Sequence, residues 1–180
     1  MAFGKTFALT LLTFIGVNFG GYVLILVIEG QIGNFLSIFT SMSELAIAFF
    51  GPITGYPGYI LGGIDIYTLE GPYTTFGFLG ELLYSGTAGL GIIIEVIFLI
   101  VAPLLAAVVA GKIGEGKKDA FGGFFLAIMI SAGGALTLIL IGQVYQSILI
   151  ITIITIILSG VITAFLYGSV ALLLNKGDLY

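Results

Sequence analysis

Residues 120–143, AFGGFFLAIMISAGGALTLILIGQ, contain no charged side chain and are apolar over nearly their whole length. A hydrocarbon core about 30 Å thick is crossed by about 20 residues of α-helix, because each residue advances about 1.5 Å. No water is present in that core to bond an exposed backbone amide, so an uninterrupted run of this length forms a membrane-spanning helix. The stretch predicts an integral membrane protein.

Three further stretches fit the same description. Residues 6–29 and 147–174 are as uninterrupted as 120–143, and 88–110 qualifies despite containing Glu95. The whole chain is 59% hydrophobic and 8% charged, with a mean hydropathy of +1.27, which lies outside the range of soluble globular proteins. We predict an all-α, polytopic membrane bundle that forms one transmembrane domain over residues 1–180.

The region between residues 30 and 87 is too apolar for an external loop, but glycine and proline break it into short pieces. Ser41-Met-Ser-Glu44 has the spacing of a helix-capping box, so a helix over 42–50 is expected. Gly51-Pro52 should then interrupt or kink that helix.

We favour six membrane crossings in total, with residues 35–50 and 52–69 as a short pair. The alternative is four crossings and a re-entrant external segment, which the bilayer permits only where neighbouring helices cover the loosened backbone.

Lysine supplies every basic side chain of the chain, since arginine and histidine are absent. Cytoplasmic loops of membrane proteins are enriched in lysine. All the lysines fall on one side if the number of crossings is even, which predicts cytoplasmic N and C termini in a multi-pass protein of the cell membrane. The lysines are Lys5, Lys112, Lys117, Lys118 and Lys176.

The residue types that the chain lacks exclude several kinds of chemistry. Without cysteine or histidine, thiolate nucleophiles and most metal sites are excluded, and no basic patch exists for nucleic acid. We therefore expect a protein that is not an enzyme, with no cofactor and no metal site.

Glu95 is the ionisable residue that lies well inside a predicted span, about 10 Å below the outer end of its helix by the rise per residue. An ionised group costs roughly 2.5–3.5 kcal/mol near the bilayer centre, so Glu95 should be protonated, paired or beside a wet cavity. Because no span offers a basic partner, neutral donors such as Asn18 are the candidates.

Two other groups are candidates for substrate contacts. Thr155 and Ser159 belong to a hydroxyl stripe on one face of the last helix, which either forms an internal hydrogen-bonded seam or lines a polar substrate path. Tyr56 and Tyr59 lie in a tyrosine-rich region typical of the outer membrane interface, and lining a ligand is their alternative role.

Small residues recur at four-residue spacing in two helices. Gly123, Ala127 and Ser131 form one such ladder, and Gly16 and Gly20 form a shorter one. Ladders of this kind let helices approach closely in lipid, either within one chain or at a partner subunit.

Residues 44–55, ELAIAFFGPITG, followed by Gly58, Gly62-Gly63 and Asp65, combine an acidic residue, an apolar run and Gly-Pro-x-x-Gly. This pattern resembles that of the substrate-binding S components of energy-coupling factor transporters. The resemblance implies a six-helix protein that captures a small molecule. It also implies docking onto a transmembrane coupling subunit through small residues of the first helix, here Gly16 and Gly20.

Three functions are therefore open. The first is a membrane-embedded, substrate-capturing subunit of a multi-subunit transporter, with a site between residues 43–66, Glu95 and the hydroxyl stripe. The second is an accessory or scaffolding subunit of a larger membrane complex. The third is a homo-oligomeric channel with 43–66 as a re-entrant loop. Expected partners are other membrane subunits or further copies of the chain, lipid, and a small-molecule substrate.

Overall fold

The computed structural model describes residues 2–54, 90–142 and 149–176. These ranges are helical apart from short connections and contain no strand. A 3-10 helix, Ile32–Phe39, is accompanied by five α-helices: α1 (Ala2–Ile28), α2 (Met42–Thr54), α3 (Leu90–Ile113), α4 (Lys117–Ile141) and α5 (Leu149–Leu174).

Each of the four long predicted spans corresponds to a helix. By length and composition, α1, α4 and α5 are long and apolar enough to cross a membrane, and α3 contains the shorter apolar segment Ile97–Ile113. The 3-10 helix and α2 together would make a fourth crossing if the bent pair counts as one span. The described residues thus confirm an all-α protein with three or four helices that could span a membrane, whereas six crossings and cytoplasmic termini stay predictions.

Helices α3 and α4 lie at the centre of the bundle, because each contacts the other and also α1, α2 and α5. Helix α1 packs mainly on α3, and α5 packs on α3 and α4, while the described parts of α1 and α5 do not contact each other. The main core joins Phe14 of α1, Ala106 of α3, Phe124 and Ile128 of α4, and Ala164 of α5, all fully buried.

Two contacts gather four helix ends. After α5, the buried Asn175 side chain donates hydrogen bonds to the carbonyls of Gly111 (3.0 Å) and Gly114 (2.7 Å), which ties α5 to the turn between α3 and α4. Near the start of α4, Gly123 lies against Thr6, so α1 begins at the same place. The structure therefore brings all the lysines to one end of the bundle, called here the lysine end: Lys5, Lys112, Lys117, Lys118 and Lys176.

Residues 35–50 do not form one straight helix. The 3-10 helix and α2 meet at a 100° bend. Ser41 caps α2 as predicted, since its hydroxyl accepts from the Glu44 amide at 3.4 Å. The Ser41 amide bonds instead to the Ser37 carbonyl, and the Glu44 carboxylate accepts from the Ser37 hydroxyl at 3.4 Å, so the reciprocal half of the capping box is replaced. The predicted partner segment, 52–69, lies outside the described residues beyond Thr54.

We expect Gly123→Ala to destabilise the bundle. A Cβ at Gly123 would lie 2.9 Å from Thr6 Cγ2 and 3.2 Å from the Phe7 backbone nitrogen, and the backbone atom cannot rotate away. Overpacking of this kind costs about 1–3 kcal/mol. The matched control is Gly133→Ala on the same helix, where no atom lies within 4 Å, so helix propensity should raise stability by up to about 1 kcal/mol. Unfolding of both variants in detergent measures the difference, and equal stabilities would contradict the packing.

Candidate functional site

The candidate site is built around a break in α2. The backbone of Phe50 is non-helical (φ −127°, ψ 23°), and Pro52 lies inside the helix. Because proline has no amide hydrogen, the carbonyl of Ala48, four residues earlier, loses its helical donor. The kink predicted at Gly51-Pro52 is present, with its non-helical residue at Phe50, directly before this pair.

Asn18 of α1 supplies the missing donor. Its Nδ2 donates to the carbonyl oxygens of Ala48 at 2.8 Å and Ile47 at 3.0 Å, and the residue is only 5% exposed. A carbonyl oxygen can only accept, so these two contacts fix which side of the Asn18 amide faces α2. The side-chain oxygen Oδ1 is the polar atom that remains.

Two glycines let neighbouring side chains come close enough to shape the site. A Cβ at Gly51 would lie 3.0 Å from Asn18 Oδ1 and 3.1 Å from its Nδ2. A Cβ at Gly21 would overlap the ring of Phe98 from α3. Both positions therefore hold glycine where α1 meets the other helices.

These contacts leave a cavity of about 200 Å³ between α1, α2 and α3. It lies towards the end of α1 that is remote from the lysine end, and Glu29 and Gln31 at its rim are exposed. Apolar side chains of the same helices complete the lining. The residues on which its chemistry depends are Asn18, Tyr22, Glu29, Gln31, Gly51 and Phe98.

The rim is shaped by the C-terminal cap of α1. Gly30 adopts φ +70°, a conformation that favours glycine. The Gln31 amide bonds to the Leu26 carbonyl at 2.7 Å and the Gly30 amide to the Val27 carbonyl at 3.2 Å, the two bonds of a Schellman motif. Glu29 and Gln31 on either side of this glycine are therefore held by backbone hydrogen bonds.

An aromatic cluster holds the 3-10 helix beside the site. Phe19 of α1 stacks on Phe49 of α2 with ring centroids 5.0 Å apart, and it also contacts Phe35 and Phe39 of the 3-10 helix at 6.2 and 6.4 Å. Phe50 lies on Gly134 of α4, where a Cβ would be 3.0 Å from its ring. The broken region is thereby packed against both α1 and α4.

The predicted substrate residues do not all come together. Asn18 lines the cavity, whereas Thr155 and Ser159 are buried in α5, which does not contact α1 in the described ranges, and neither lines the cavity. Glu95 lies in α3, three and four positions before the lining residues Phe98 and Leu99, but its side chain lies outside the described part. Tyr56 and Tyr59 also lie outside it.

The hydroxyl stripe of α5 faces the bundle interior. Thr155, Ser159, Thr163 and Tyr167 are all at least 93% buried, as one polar face requires. However, the hydroxyls of Ser159 and Thr163 have no hydrogen-bond partner among the described residues. The stripe is therefore internal, and Ser159 and Thr163 take no part in a hydrogen-bonded seam among the described residues.

The two small-residue ladders differ in their surroundings. Gly123, Ala127 and Ser131 are buried inside the chain, where Gly123 contacts α1 and the Ser131 hydroxyl bonds back to the Ala127 carbonyl at 2.8 Å. Because packing within the chain already covers this face, the structure favours the first of its two predicted roles over the docking of a partner subunit. Gly16 and Gly20 are exposed with no atom within 4 Å of a Cβ, and docking there stays a prediction.

Tyr22, Glu29, Gln31 and Phe98 line the cavity but were not among the residues predicted from the sequence. A signal was present in α1, since Asn18, Tyr22 and Glu29 recur at spacings of four and seven and so share one helix face. The position of Phe98 depends on how α3 packs on Gly21, which spacing within one helix does not reveal.

The described residues contain no group of three or more aspartate, glutamate, histidine or cysteine side chains that could hold a metal ion. The described residues therefore form a bundle of apolar helices, long enough in part to span a membrane, with a small cavity at one end. No protein-family model, curated protein or solved structure matches it.

We expect Asn18→Ala to lower the free energy of unfolding by about 2 kcal/mol or more, because a buried carbonyl left without a donor costs roughly 1–3 kcal/mol. In the Pro52→Ala background the loss should be smaller, since alanine at position 52 restores an amide for the Ala48 carbonyl. Unfolding in detergent of the two single variants and the double variant gives the coupling. Asn34→Ala, at an exposed asparagine, is the control. An equal loss in both backgrounds would contradict the pairing.

Proposed function

We propose that this chain is a substrate-capturing subunit of a multi-subunit membrane transporter, which binds a small molecule in the cavity between α1, α2 and α3. The observation that supports this most directly is the cavity itself. The lining combines apolar helix surface with the polar side chains of Asn18, Tyr22, Glu29 and Gln31. Ligand sites are usually apolar pockets with a few precisely placed polar groups.

The break in α2 adds support. Gly51 and Pro52 lie in the segment that resembles energy-coupling factor S components, and Gly51 lines the cavity. Broken helices are tolerated at membrane depth where protein covers them or where they line a cavity, and α2 meets both conditions. A purely scaffolding subunit has no need for such a feature.

The proposed orientation places the lysine end in the cytoplasm and the cavity towards the outside of the cell. Helix α1 runs away from the lysine end and α3 runs back towards it, so both meet at the cavity. The chain between Ile28 and Leu90 must then cross an even number of times, which fits the favoured six crossings and the alternative four alike.

Intact cells treated with a membrane-impermeant, amine-reactive reagent should leave every lysine side chain unmodified, because all five are predicted to face the cytoplasm. Mass spectrometry of the purified chain reads the modification at each lysine, and lysed cells serve as the positive control. A modified lysine from intact cells would reverse the orientation and place the cavity on the cytoplasmic side.

The substrate-capturing function predicts that a small molecule co-purifies with the chain from native membranes in mild detergent. Filling the cavity with Ile25→Trp should remove that molecule, because Ile25 lines the space. The matched control is Ile130→Trp on α4, at a residue 46% exposed on the outer surface of the bundle. Mass spectrometry of the bound fraction is the measurement. A molecule absent from the unaltered protein, or retained equally by both variants, would contradict substrate capture.

The chain purified from native membranes in mild detergent also tests the proposed docking of a coupling subunit. In this proposal a transmembrane helix of a coupling subunit lies on the exposed Gly16 and Gly20 face of α1, where both glycines present open space. Leucine at both positions should leave the fold intact and reduce the coupling subunit retained with the chain. Unchanged retention would move the docking face elsewhere.

A further inference from the structure

We propose that the cavity selects a small cation, specifically a protonated amine carried on an apolar body of about one ring. This inference depends on the proposed function, because it names the chemical class of the molecule that the cavity captures.

The first argument is the charge of the site. The carboxylate of Glu29 is the one formally charged group in the described lining. The basic side chains of the protein all lie at the lysine end, and Lys5 is about 36 Å from Glu29 along α1 at 1.5 Å per residue. Charges in water are screened beyond about 10 Å at 0.1 M salt. Residues outside the described ranges contain no lysine, arginine or histidine, so they cannot add a basic side chain.

The second argument is the hydrogen-bonding balance of the lining. Asn18 would ordinarily offer both donors and an acceptor, but its Nδ2 already donates to the carbonyls of Ala48 and Ile47. What remains is Oδ1, which accepts. The Glu29 carboxylate also only accepts when ionised. Asn18 Oδ1 and the Glu29 carboxylate therefore favour a ligand that donates hydrogen bonds, while Tyr22 and Gln31 can either donate or accept.

The third argument is the aromatic content and the size of the space. Tyr22 and Phe98 belong to the lining, and a cation held against an aromatic face gains about 0.5–2 kcal/mol. The volume of about 200 Å³ limits the ligand. An apolar cavity of roughly 150 Å³ in another protein holds benzene, so a single ring with one short polar arm is near the upper limit here.

An anion would meet the Glu29 carboxylate with no basic partner, and a neutral ligand of equal shape would gain no attraction from it. Like-charge approach and an unpaired charge both disfavour binding. The preferred order is therefore cation, then neutral molecule, then anion.

Three probes of matched shape test this order: benzylammonium, benzyl alcohol and benzoate, each titrated calorimetrically into the purified full chain in detergent. We expect benzylammonium to bind about tenfold more tightly than benzyl alcohol, with benzoate weakest, since tenfold corresponds to about 1.4 kcal/mol of charge-dependent contact. Added salt should narrow the difference.

Two substitutions localise the effect. Glu29→Gln should bring the affinity for benzylammonium to within about twofold of that for benzyl alcohol, because it removes the charge and keeps the shape. Glu115→Gln removes the same charge from an exposed residue of the turn between α3 and α4, at the lysine end, and should leave all three affinities unchanged.

The outcomes separate the two levels of the proposal. If benzyl alcohol or benzoate binds as tightly as benzylammonium, and Ile25→Trp abolishes that binding, the selectivity for amines is overturned while substrate capture stands. If Glu29→Gln leaves the affinity for benzylammonium unchanged, or if no probe binds, the inference is likewise overturned. The co-purification experiment then decides the proposed function independently.

Discussion

The hydrogen bond between Asn18 and the Ala48 carbonyl is the constraint on which the site depends. Pro52 removes the helical donor of that carbonyl, and a buried carbonyl left without a donor costs roughly 1–3 kcal/mol. The break in α2 is therefore tolerated only where another helix brings a donor. Asn18 meets that requirement and fixes the broken end of α2 against α1, and the space left between these helices and α3 becomes the cavity. Both donors of the Asn18 amide hold α2, so Oδ1 is the polar atom of this side chain that remains for other contacts.

The two ends of the bundle differ in their polar chemistry. At the lysine end, Asn175 ties the end of α5 to the turn between α3 and α4 through two carbonyls. At the cavity end, carbonyls of α2 are held by Asn18 in the same way, and a carboxylate stands at the rim. Each end thus uses one asparagine amide to join helices, and at the cavity end the helices leave a space of about 200 Å³ between them.

The sequence predicted the features that depend on local chemistry. Long apolar runs gave the helices, Ser41 gave the start of α2, and Gly51-Pro52 gave its kink, because lengths, caps and prolines act within one segment. Contacts between different segments were harder to predict from the sequence. Asn18 was assigned to a substrate site beside Glu95, yet its partners are backbone carbonyls, which every residue carries and which no sequence motif marks. Thr155 and Ser159 were placed on the correct interior face of α5, but periodicity identifies a face and not the helix that it meets, so their separation from the cavity was not predictable.

The Schellman motif at Gly30 gives the rim of the cavity a property that a free loop lacks. Two hydrogen bonds already fix the backbone that carries Glu29 and Gln31, so a ligand entering there would not have to order the chain first. Ordering a flexible segment on binding costs free energy, and a ligand of one ring has few atoms whose contacts can offset that cost. A preorganised entrance leaves more of each contact as net affinity, which is what the proposed capture of a small molecule requires.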